Sequence, residues 1–366
     1  MKKLLLLIIC FTVLLFACNN QDKTELNLSF QIDTLKINTQ ENSLSITDAP
    51  NIYYRNGTEY YTNYNEAFNT LIFFDLNKFD FDRKIQFKKS GPGKLSVCDD
   101  YIIHKDTLLV FTTFYVKFYN LSGDHIKTLQ LKDICPPIAT QYRLARAGIS
   151  ISNILKTNID SKNNSLLLRT FRNGLPYEDG FYDNPVLCEY SLNSQKADVI
   201  PITYPQEVYS KYFYDDLATP HFVAKGDSII YHCHFKSLLY VYNRKTKKTK
   251  EIKFDANHLP NLINGKIRKK VSGITHMALN DRYHNLTYDK YRNIFYLAYN
   301  KKAKDIETYH LIVFDNKLNK LGEITLPLGY SQCFAISKKG LLFRNTEDLA
   351  YYHFNLYVVK IDLPKN

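Results

Sequence analysis

The sequence lacks a second hydrophobic segment long enough to cross a bilayer, and it lacks closely spaced cysteines. After the N-terminal apolar run, no stretch approaches the roughly 20 apolar residues that a spanning helix needs, so the chain beyond Cys18 is predicted not to span a membrane. None of the seven cysteines forms a Cys-x-x-Cys pair. Because a disulfide framework or a structural zinc site would need tighter spacing, we expect mostly buried free thiols and leave one bridge open.

The chain also lacks the short motifs that mark common catalytic sites. It contains no Gly-x-Ser-x-Gly elbow, no His-Glu-x-x-His helix, no phosphate-binding glycine-rich loop and no aspartate-rich calcium loop. The segment His232-Cys233-His234 places two imidazoles on one face of a strand, but no third ligand lies nearby in the sequence. The sequence therefore predicts no catalytic residues, no metal site and no cofactor.

The N-terminus has the pattern of a lipoprotein signal peptide. Two lysines precede a 13-residue apolar run from Leu4 to Phe16, which is too short to span a bilayer. The segment Leu15-Phe16-Ala17-Cys18 resembles the lipobox cut by lipoprotein signal peptidase, with a small residue directly before the cysteine. We predict a signal peptide over residues 1–17, lipid on Cys18, and a polar tether over residues 18–27 that leads into one domain over residues 28–366.

The residue after the lipobox bears on location. Asn19 stands where an aspartate would indicate retention in the inner membrane. We therefore expect a lipid-anchored protein of the cell envelope, held in the outer membrane, with the leaflet left open. The alternative is an ordinary secretory signal followed by a chance cysteine.

The chain is basic, with a formal charge of +12 that falls to +10 when Lys2 and Lys3 leave with the signal peptide. A basic balance would fit an anionic partner such as nucleic acid or lipopolysaccharide. The lysines are, however, scattered across turns, as in the segment Lys245–Lys250. Since an exported protein meets little nucleic acid, we predict a solvated basic surface and no nucleic-acid partner.

Aromatic residues are abundant, with 29 Tyr and 23 Phe, and this composition favours β-structure. A unit recurs in which an apolar strand ends at a small polar residue and a turn and another strand follow. These polar residues occupy positions 75, 120, 191, 243, 315 and 362. The shortest spacings, 45 and 47 residues, are close to the roughly 40–45 residues of a four-stranded propeller blade.

The recurring units predict an all-β fold, a six-bladed β-propeller. They run over residues 50–87, 99–131, 154–202, 220–254, 283–326 and 331–363. The last unit has three clear strands, and the alternating strand Phe30–Ile37 has no unit of its own. We predict that this N-terminal strand closes the last blade and so removes two exposed edges. A two-domain sandwich is the alternative, and it would leave the strands at both ends unexplained.

These features resemble a known group of proteins. The lipobox, the unpaired first strand, the segment Gly91-Pro92-Gly93 and strands that begin with Asp-Ser/Thr are similar to the TolB-like propeller lipoproteins of Bacteroidota, including the family called domain of unknown function 4221. The resemblance implies an outer-membrane lipoprotein with no assigned activity. The chain departs from the group at Lys94, where an acidic residue often follows the Gly-Pro-Gly segment.

Three long segments between the units, over residues 132–153, 203–219 and 255–282, are the predicted ligand-binding loops. Tyrosines beside arginines suit sugars or anionic glycans, through ring stacking and bidentate hydrogen bonds. The predicted ligand-binding residues are Arg143, Arg146, Tyr209, Tyr212, Tyr214 and Arg268. The alternative is that the tyrosines pack between blades while the charged groups face water.

Three triplets match the Asp-Ser/Thr-hydrophobic signal for O-glycosylation in exported Bacteroidota proteins. Their acceptor hydroxyls belong to Thr34, Thr107 and Ser228. The structural alternative is a turn in which the aspartate caps the start of a strand.

The leading functional prediction is a non-catalytic binding or scaffold lipoprotein that contacts a glycan, a peptide or an envelope protein. A glycan-directed hydrolase or lyase with its site in the propeller channel is one alternative. A structural subunit of an outer-membrane complex is the other.

Overall fold

The computed structural model describes residues 28–39, 51–91, 93–96, 98, 100–112, 115–130, 142–144, 158–172, 185–204, 220–233, 237–255, 282–303, 306–327, 330–345 and 353–363. All regular structure in these ranges is β-strand. Among them, no helix is long and apolar enough to cross a membrane.

The strands follow one another along the chain with short turns or longer connections between them. In chain order they are β1 (Phe30–Asn38), β2 (Asn51–Arg55), β3 (Thr58–Asn65), β4 (Thr70–Asp75), β5 (Asp80–Gln86), β6 (Asp100–His104), β7 (Thr107–Phe111), β8 (Tyr115–Asn120), β9 (His125–Gln130), β10 (Tyr142–Leu144), β11 (Asn158–Asp160), β12 (Ser165–Arg172), β13 (Leu187–Ser191), β14 (Ala197–Ile200), β15 (Pro220–Lys225), β16 (Ser228–Cys233), β17 (Leu238–Asn243), β18 (Lys248–Lys253), β19 (Arg282–Asp289), β20 (Ile294–Ala303), β21 (Ile306–Phe314), β22 (Lys320–Thr325), β23 (Tyr330–Ile336), β24 (Leu341–Asn345) and β25 (His353–Ile361).

The sheets are antiparallel meanders of consecutive strands. Strands β6–β9, β15–β18 and β19–β22 each form a four-stranded sheet, and an eight-stranded sheet has the order β2-β3-β4-β5-β1-β25-β24-β23. The remaining sheet has the order β10-β12-β13-β14, with β11 also paired to β12. The first strand of this sheet is thus divided into β10 and β11. The sheet starts at Tyr142, whereas the sequence predicted that this unit begins at residue 154.

The N-terminal strand completes the last meander, as its alternating pattern predicted. β1 pairs antiparallel with β25 along its whole length, from Phe30 opposite Ile361 to Asn38 opposite His353. Its contact with β5 is a single parallel bridge between Asn38 and Asp80. The eight-stranded sheet therefore consists of two four-strand halves, β2–β5 and β23–β25 with β1, that are joined by one bridge.

The polar residues at the strand ends hold tight turns. In most of them a side-chain oxygen accepts hydrogen bonds from two backbone N–H groups further along the turn, which is the arrangement of an Asx turn. This arrangement is found at Asp75, Asn120, Asn243 and Asp315. Asp362 differs because β1, its neighbour in the sheet, comes from the other end of the sequence. Its carboxylate accepts a hydrogen bond of 2.7 Å from the Ser29 hydroxyl.

The hydrophobic core lies between the sheets. In each meander the second and third strands lie at the centre of the sheet and are buried on both faces. In β4, for example, all six residues Thr70–Asp75 are buried. Alternate residues pack against the sheet on either side, as Phe73 does against β7 and Phe74 does against β25. Similar clusters join each sheet to the next along the chain, and the last one joins the two halves of the eight-stranded sheet. The arrangement is propeller-like.

The two ends of this arrangement differ. At the turn-bearing end, tight turns join the first strand of each meander to its second and the third to its fourth. There the Arg244 guanidinium reaches across to the neighbouring sheet, 2.5 Å from Asp160 and 3.1 Å from Glu189. Glu59 accepts hydrogen bonds from the Ser337 hydroxyl and the Lys338 amide. The opposite, loop-bearing end carries the second-to-third strand turns and the connections between sheets.

The cysteines are only in part the buried free thiols that the sequence predicted. Cys233 is a buried thiol, and Cys98 is a half-buried thiol. Cys188, which is fully buried, is disulfide-bonded. This is the one bridge that the sequence analysis left open. Sequence spacing could not identify it, because no other cysteine lies close to Cys188 in the sequence.

Replacing Arg244 with alanine should lower the free energy of unfolding by about 3 kcal/mol, because two largely buried carboxylates lose their cation. The matched control is Lys245→Ala in the same turn, whose partner Asp227 is more exposed. That variant should cost less than about 1 kcal/mol. Urea unfolding of the three proteins measures both values, and equal losses would contradict the role assigned to Arg244.

The state of Cys188 can be read by alkylation. In denaturant without reductant, we expect alkylation of Cys98 and Cys233 and no alkylation of Cys188; a reductant should make Cys188 reactive. Peptide mass spectrometry measures each site. Modification of Cys188 before reduction would contradict the disulfide.

Candidate functional site

Most of the predicted ligand-binding residues lie outside the described residues. This holds for Arg146, Tyr209, Tyr212, Tyr214 and Arg268, and also for the lipid-attachment residue Cys18. Arg143 lies in β10, opposite Phe171 near the end of β12. This register places Arg143 in a strand, near the loop-bearing end of its sheet, whereas the sequence analysis placed it in the long segment 132–153 between two units.

Two exposed aromatic rings mark the same end of the neighbouring sheets. Phe68, in the turn between β3 and β4, is 59% exposed, and Tyr115, at the start of β8, is 38% exposed. Both belong to turns between the second and third strands of their meanders. Large rings so open to solvent are unusual beside strands whose other aromatic residues are mostly buried.

The turn that carries Phe68 is held by side chains. The Asn65 carboxamide accepts a hydrogen bond from the Phe68 amide at 3.2 Å, and Gln86 donates to the Phe68 carbonyl at 2.9 Å. Buried Asn69 adopts a positive φ of 55°, and its carboxamide oxygen accepts a bond from the Tyr64 hydroxyl. Because these contacts fix the backbone, the Phe68 ring is held outward rather than free to fold back.

One linker connects this turn to the strand that carries Tyr115. Asn69 donates a hydrogen bond of 2.9 Å to the carbonyl of Leu95, and the Lys117 ammonium donates to the carbonyl of Lys94. Tyr115 and Lys117 share a face of β8, since alternate residues of a strand do. We name the set Phe68, Lys94, Tyr115 and Lys117 the aromatic–lysine patch.

The Gly-Pro-Gly segment shapes this linker. Gly91 and Gly93 both have positive φ values, 76° and 75°. A Cβ atom on Gly93 would lie 2.5 Å from the Cβ of His125, so no other residue fits there without a shift of the backbone. The segment that the sequence singled out as a family feature therefore positions Lys94 and Leu95 against the two turns.

The patch offers a defined chemistry. Exposed rings stack on the apolar faces of sugars or on other rings, and ammonium groups bind carboxylate, sulfate or phosphate. Burial and the nearby Lys94 lower the pKa of Lys117 from its usual value. In the sequence, Phe68 could have been recognised as a lone aromatic residue in a polar turn. The hydrogen bonds that connect the Lys94 linker to that turn and to Lys117 could not be recognised, because they join segments that are separate in the sequence.

His232 lies inside the packing between β15–β18 and β19–β22. Its Nδ1 donates to the Leu238 carbonyl at 2.9 Å, and its ring meets the Tyr283 ring edge-on at 4.9 Å between centroids. Burial lowers the pKa of His232 to about 4, and its Nε2 has no hydrogen-bond partner among the described residues. A neutral, fully buried imidazole is suited to packing rather than to proton transfer with a substrate. Its predicted companion His234 lies outside the described residues.

The buried carboxylates lie at the turn-bearing end and already have partners. Asp289 is 2.8 Å from the Arg292 guanidinium, which in turn donates to two carbonyls of the neighbouring sheet half. Asp160 pairs with Arg244. Among the described residues, no group of three or more His, Cys, Asp or Glu is arranged to hold a metal ion.

The three predicted glycosylation acceptors differ in exposure. Thr34 is exposed within β1, whereas Thr107 and Ser228 are half-buried first residues of their strands. The aspartates that precede these acceptors all bind side chains from elsewhere in the fold. Asp33 lies inside β1 and pairs with Lys360, Asp106 accepts a bond from the Tyr53 hydroxyl, and Asp227 pairs with two lysines. Hydrogen bonds from those lysines, Lys162 and Lys245, lower the pKa of Asp227 to about 2.

Comparison with known proteins bears on the fold and the family. Residues 25–325 match the sequence profile of the family described as "Domain of unknown function (DUF4221)". A solved member of that family from Bacteroides vulgatus ATCC 8482 superposes with a TM-score of 0.73 at 18% identity, over 94% of this chain and 100% of that chain. A putative exported protein from Bacteroides fragilis NCTC 9343 gives a TM-score of 0.55 at 12% identity, over 93% of this chain and 97% of that chain.

No curated protein matches the sequence. At these identities the two solved structures support the all-β, propeller-like fold and carry no activity across to this chain. The family profile covers most of the sequence, from the end of the predicted tether to the end of β22. The chain therefore belongs to the DUF4221 family.

Proposed function

We propose that this DUF4221 protein is an exported, lipid-anchored envelope protein that binds an anionic glycan, or an acidic segment of an envelope protein, without catalysing a reaction. The observation that carries the proposal is the aromatic–lysine patch. In it, Phe68 and Tyr115 are exposed at the loop-bearing ends of neighbouring sheets, and hydrogen bonds connect the linker that carries Lys94 to the turn of Phe68 and to Lys117. Ring stacking on sugars and binding of anionic groups by cations are also what the sequence predicted for the tyrosines and arginines of the long loops. Arg143 lies at the same end of the next sheet.

The scaffold of this site is proposed to be a six-bladed, TolB-like propeller. The eight-stranded sheet is then two blades that share one bridge, and the broken strand β10/β11 is the inner strand of a third blade. The packing supports this interpretation, because hydrophobic clusters join successive sheets and return from the last half-sheet to the first. A closed ring would hold the patch without the cost of ordering it at each binding event.

The lipid anchor is proposed from the signal-peptide pattern and the cysteine at position 18. Two observations agree with export. The Bacteroides fragilis protein with the same fold is described as a putative exported protein. The disulfide at Cys188 is typical of an oxidising compartment, since reduced thiols prevail in the cytosol. Outer-membrane placement follows from Asn19 and belongs to the same proposal.

Replacing Cys18 with alanine should abolish incorporation of labelled palmitate and release the protein from the membrane fraction, because the thiol that carries the diacylglycerol is gone. Cys10→Ala, within the predicted signal peptide, is the matched control and should leave labelling unchanged. Labelling and fractionation of cells that express each variant measure the effect. Palmitate retained by the Cys18→Ala variant would contradict the anchor.

The binding proposal is tested with Phe68→Ala and Tyr115→Ala. Each should weaken binding to the best ligand from a panel of acidic envelope polysaccharides by about three- to ten-fold, because one stacking ring is lost. Ile126→Ala is the control, since Ile126 is 55% exposed but lies on the outer strand β9. Biolayer interferometry gives the affinities, and thermal melting checks the fold.

The result decides between the ligand classes. If the wild-type protein bound none of the polysaccharides but captured one envelope protein in a patch-dependent way, the glycan would be replaced by a protein partner. Binding that survives both ring substitutions would place the site elsewhere and overturn the proposal.

A further inference from the structure

We propose that the turn-bearing end, at the seam where the two halves of the eight-stranded sheet meet, lies against the anionic phospholipid surface to which the protein is anchored. The inference rests on the lipid anchor of the proposed function and adds an orientation to it. In this orientation the aromatic–lysine patch, at the opposite end of the fold, faces away from the membrane.

Exposed rings and lysines meet at this seam. Tyr54 is 45% exposed and Phe79 is 37% exposed. The Lys338 ammonium lies 4.2 Å from the centroid of the Tyr54 ring, and that of Lys339 lies 5.5 Å from the centroid of the Phe79 ring. With Lys78, whose side chain is 77% exposed, these residues form what we name the seam patch.

Two carboxylates beside the patch are withdrawn from solvent. Glu59, which binds the Lys338 amide, is 4% exposed, and Asp75, which lies 3.8 Å from the Lys78 ammonium, is 5% exposed. Asp80, next to Phe79, is half-buried. The seam patch therefore presents more ammonium groups than carboxylates to solvent, together with two aromatic rings. This is a surface for a broad anionic partner rather than for a cation.

The backbone under the patch is fixed in place. The Phe79 amide donates to the Asp75 carbonyl at 2.8 Å, and its carbonyl accepts a bond of 3.1 Å from the Asn38 amide at the end of β1. The Ser337 hydroxyl binds Glu59 at 2.7 Å. Both sheet halves therefore contribute to the backbone that carries these rings and lysines.

The chain enters the fold in the half-sheet that carries two of these lysines. β1 begins at the turn-bearing end, where Ser29 bonds to Asp362 and the Leu28 amide donates to the Glu323 carbonyl of β22. It is two strands away from β24, whose preceding turn carries Lys338 and Lys339, whereas Phe79 lies beside Asn38, at the other end of β1. Two strand spacings are roughly 10 Å. The ten residues from Cys18 to Leu28 extend to at most about 35 Å, so lipid on Cys18 keeps this edge close to the bilayer.

A phospholipid surface is the partner that fits these residues. At a membrane interface, tyrosine and phenylalanine rings settle at the headgroup level while lysine ammonium groups reach the phosphates. A single lysine near an anionic leaflet strengthens attachment by about five-fold, so three lysines beside a lipid anchor are enough to select an orientation.

The test uses the full-length lipidated protein in vesicles and measures lysine acetylation by mass spectrometry. Vesicles of phosphatidylcholine alone are compared with a mixture of phosphatidylcholine and phosphatidylglycerol, and protein in detergent is the reference. We expect acetylation of Lys78, Lys338 and Lys339 to fall at least about three-fold on the anionic vesicles. Lys88 and Lys89, exposed at the loop-bearing end just after β5, should be unchanged.

A charge-reversed variant checks the cause. The double substitution K338E/K339E should restore acetylation of Lys78 on anionic vesicles, whereas the matched control K88E/K89E, at the loop-bearing end, should leave Lys78 protected. Protection should also weaken at high salt, because the attraction is electrostatic.

The failures of the two proposals are distinguishable. Protein that floats with the vesicles but shows no protection of the seam lysines would overturn the orientation and leave the anchor intact. Equal protection on neutral vesicles would overturn the anionic surface as the partner. Protein that does not float with either vesicle type would overturn both the anchor and the orientation.

Discussion

The pairing of β1 with β25 is the constraint on which the rest of the structure depends. Each meander is apolar on both faces, so none can bury its core residues without a neighbour on either side. The strand Phe30–Asn38 supplies the outer edge of the last meander and, through Asn38, touches the first. Without it, β25 would present an unpaired edge, and the half-sheet that packs against Phe74 and Tyr61 would lose a strand.

The two ends of the protein use their polar residues in different ways. At the turn-bearing end, arginines and carboxylates such as Arg244 and Asp160 link adjacent sheets, so their charges stabilise the arrangement. At the loop-bearing end, a hydrogen-bonded turn holds Phe68 in water, where the ring contributes nothing to the core. An apolar side chain held rigidly outward is a cost to folding that binding can offset, which is the physical reason for assigning function to that end.

Much of the fold was predictable from the sequence, because it is written in local patterns. Apolar strands that end at residues such as Asp75 or Asn243 repeat along the chain, and each such residue closes its own turn through nearby amides. What depends on distant contacts was not predictable. The three-residue strand β10 has too few residues to show a period, and Cys188 bonds to a cysteine far away in sequence. The linker that carries Lys94 is likewise connected to the turn of Phe68 and to Lys117 of β8 only by hydrogen bonds between segments that are separate in the sequence.

The position of the N-terminal strand connects these observations to function. Because β1 closes the fold and also carries the tether, the lipid proposed on Cys18 would act on the same edge that the core depends on. Lys338 and Lys339 of the seam patch lie two strands from the start of β1, whereas Phe68 and Tyr115 lie at the other end. With the proposed anchor, a strand that enters at the turn-bearing end would separate the surface available to a membrane from the surface available to a ligand. The residues that stabilise the fold would then also determine which face of it an envelope partner reaches.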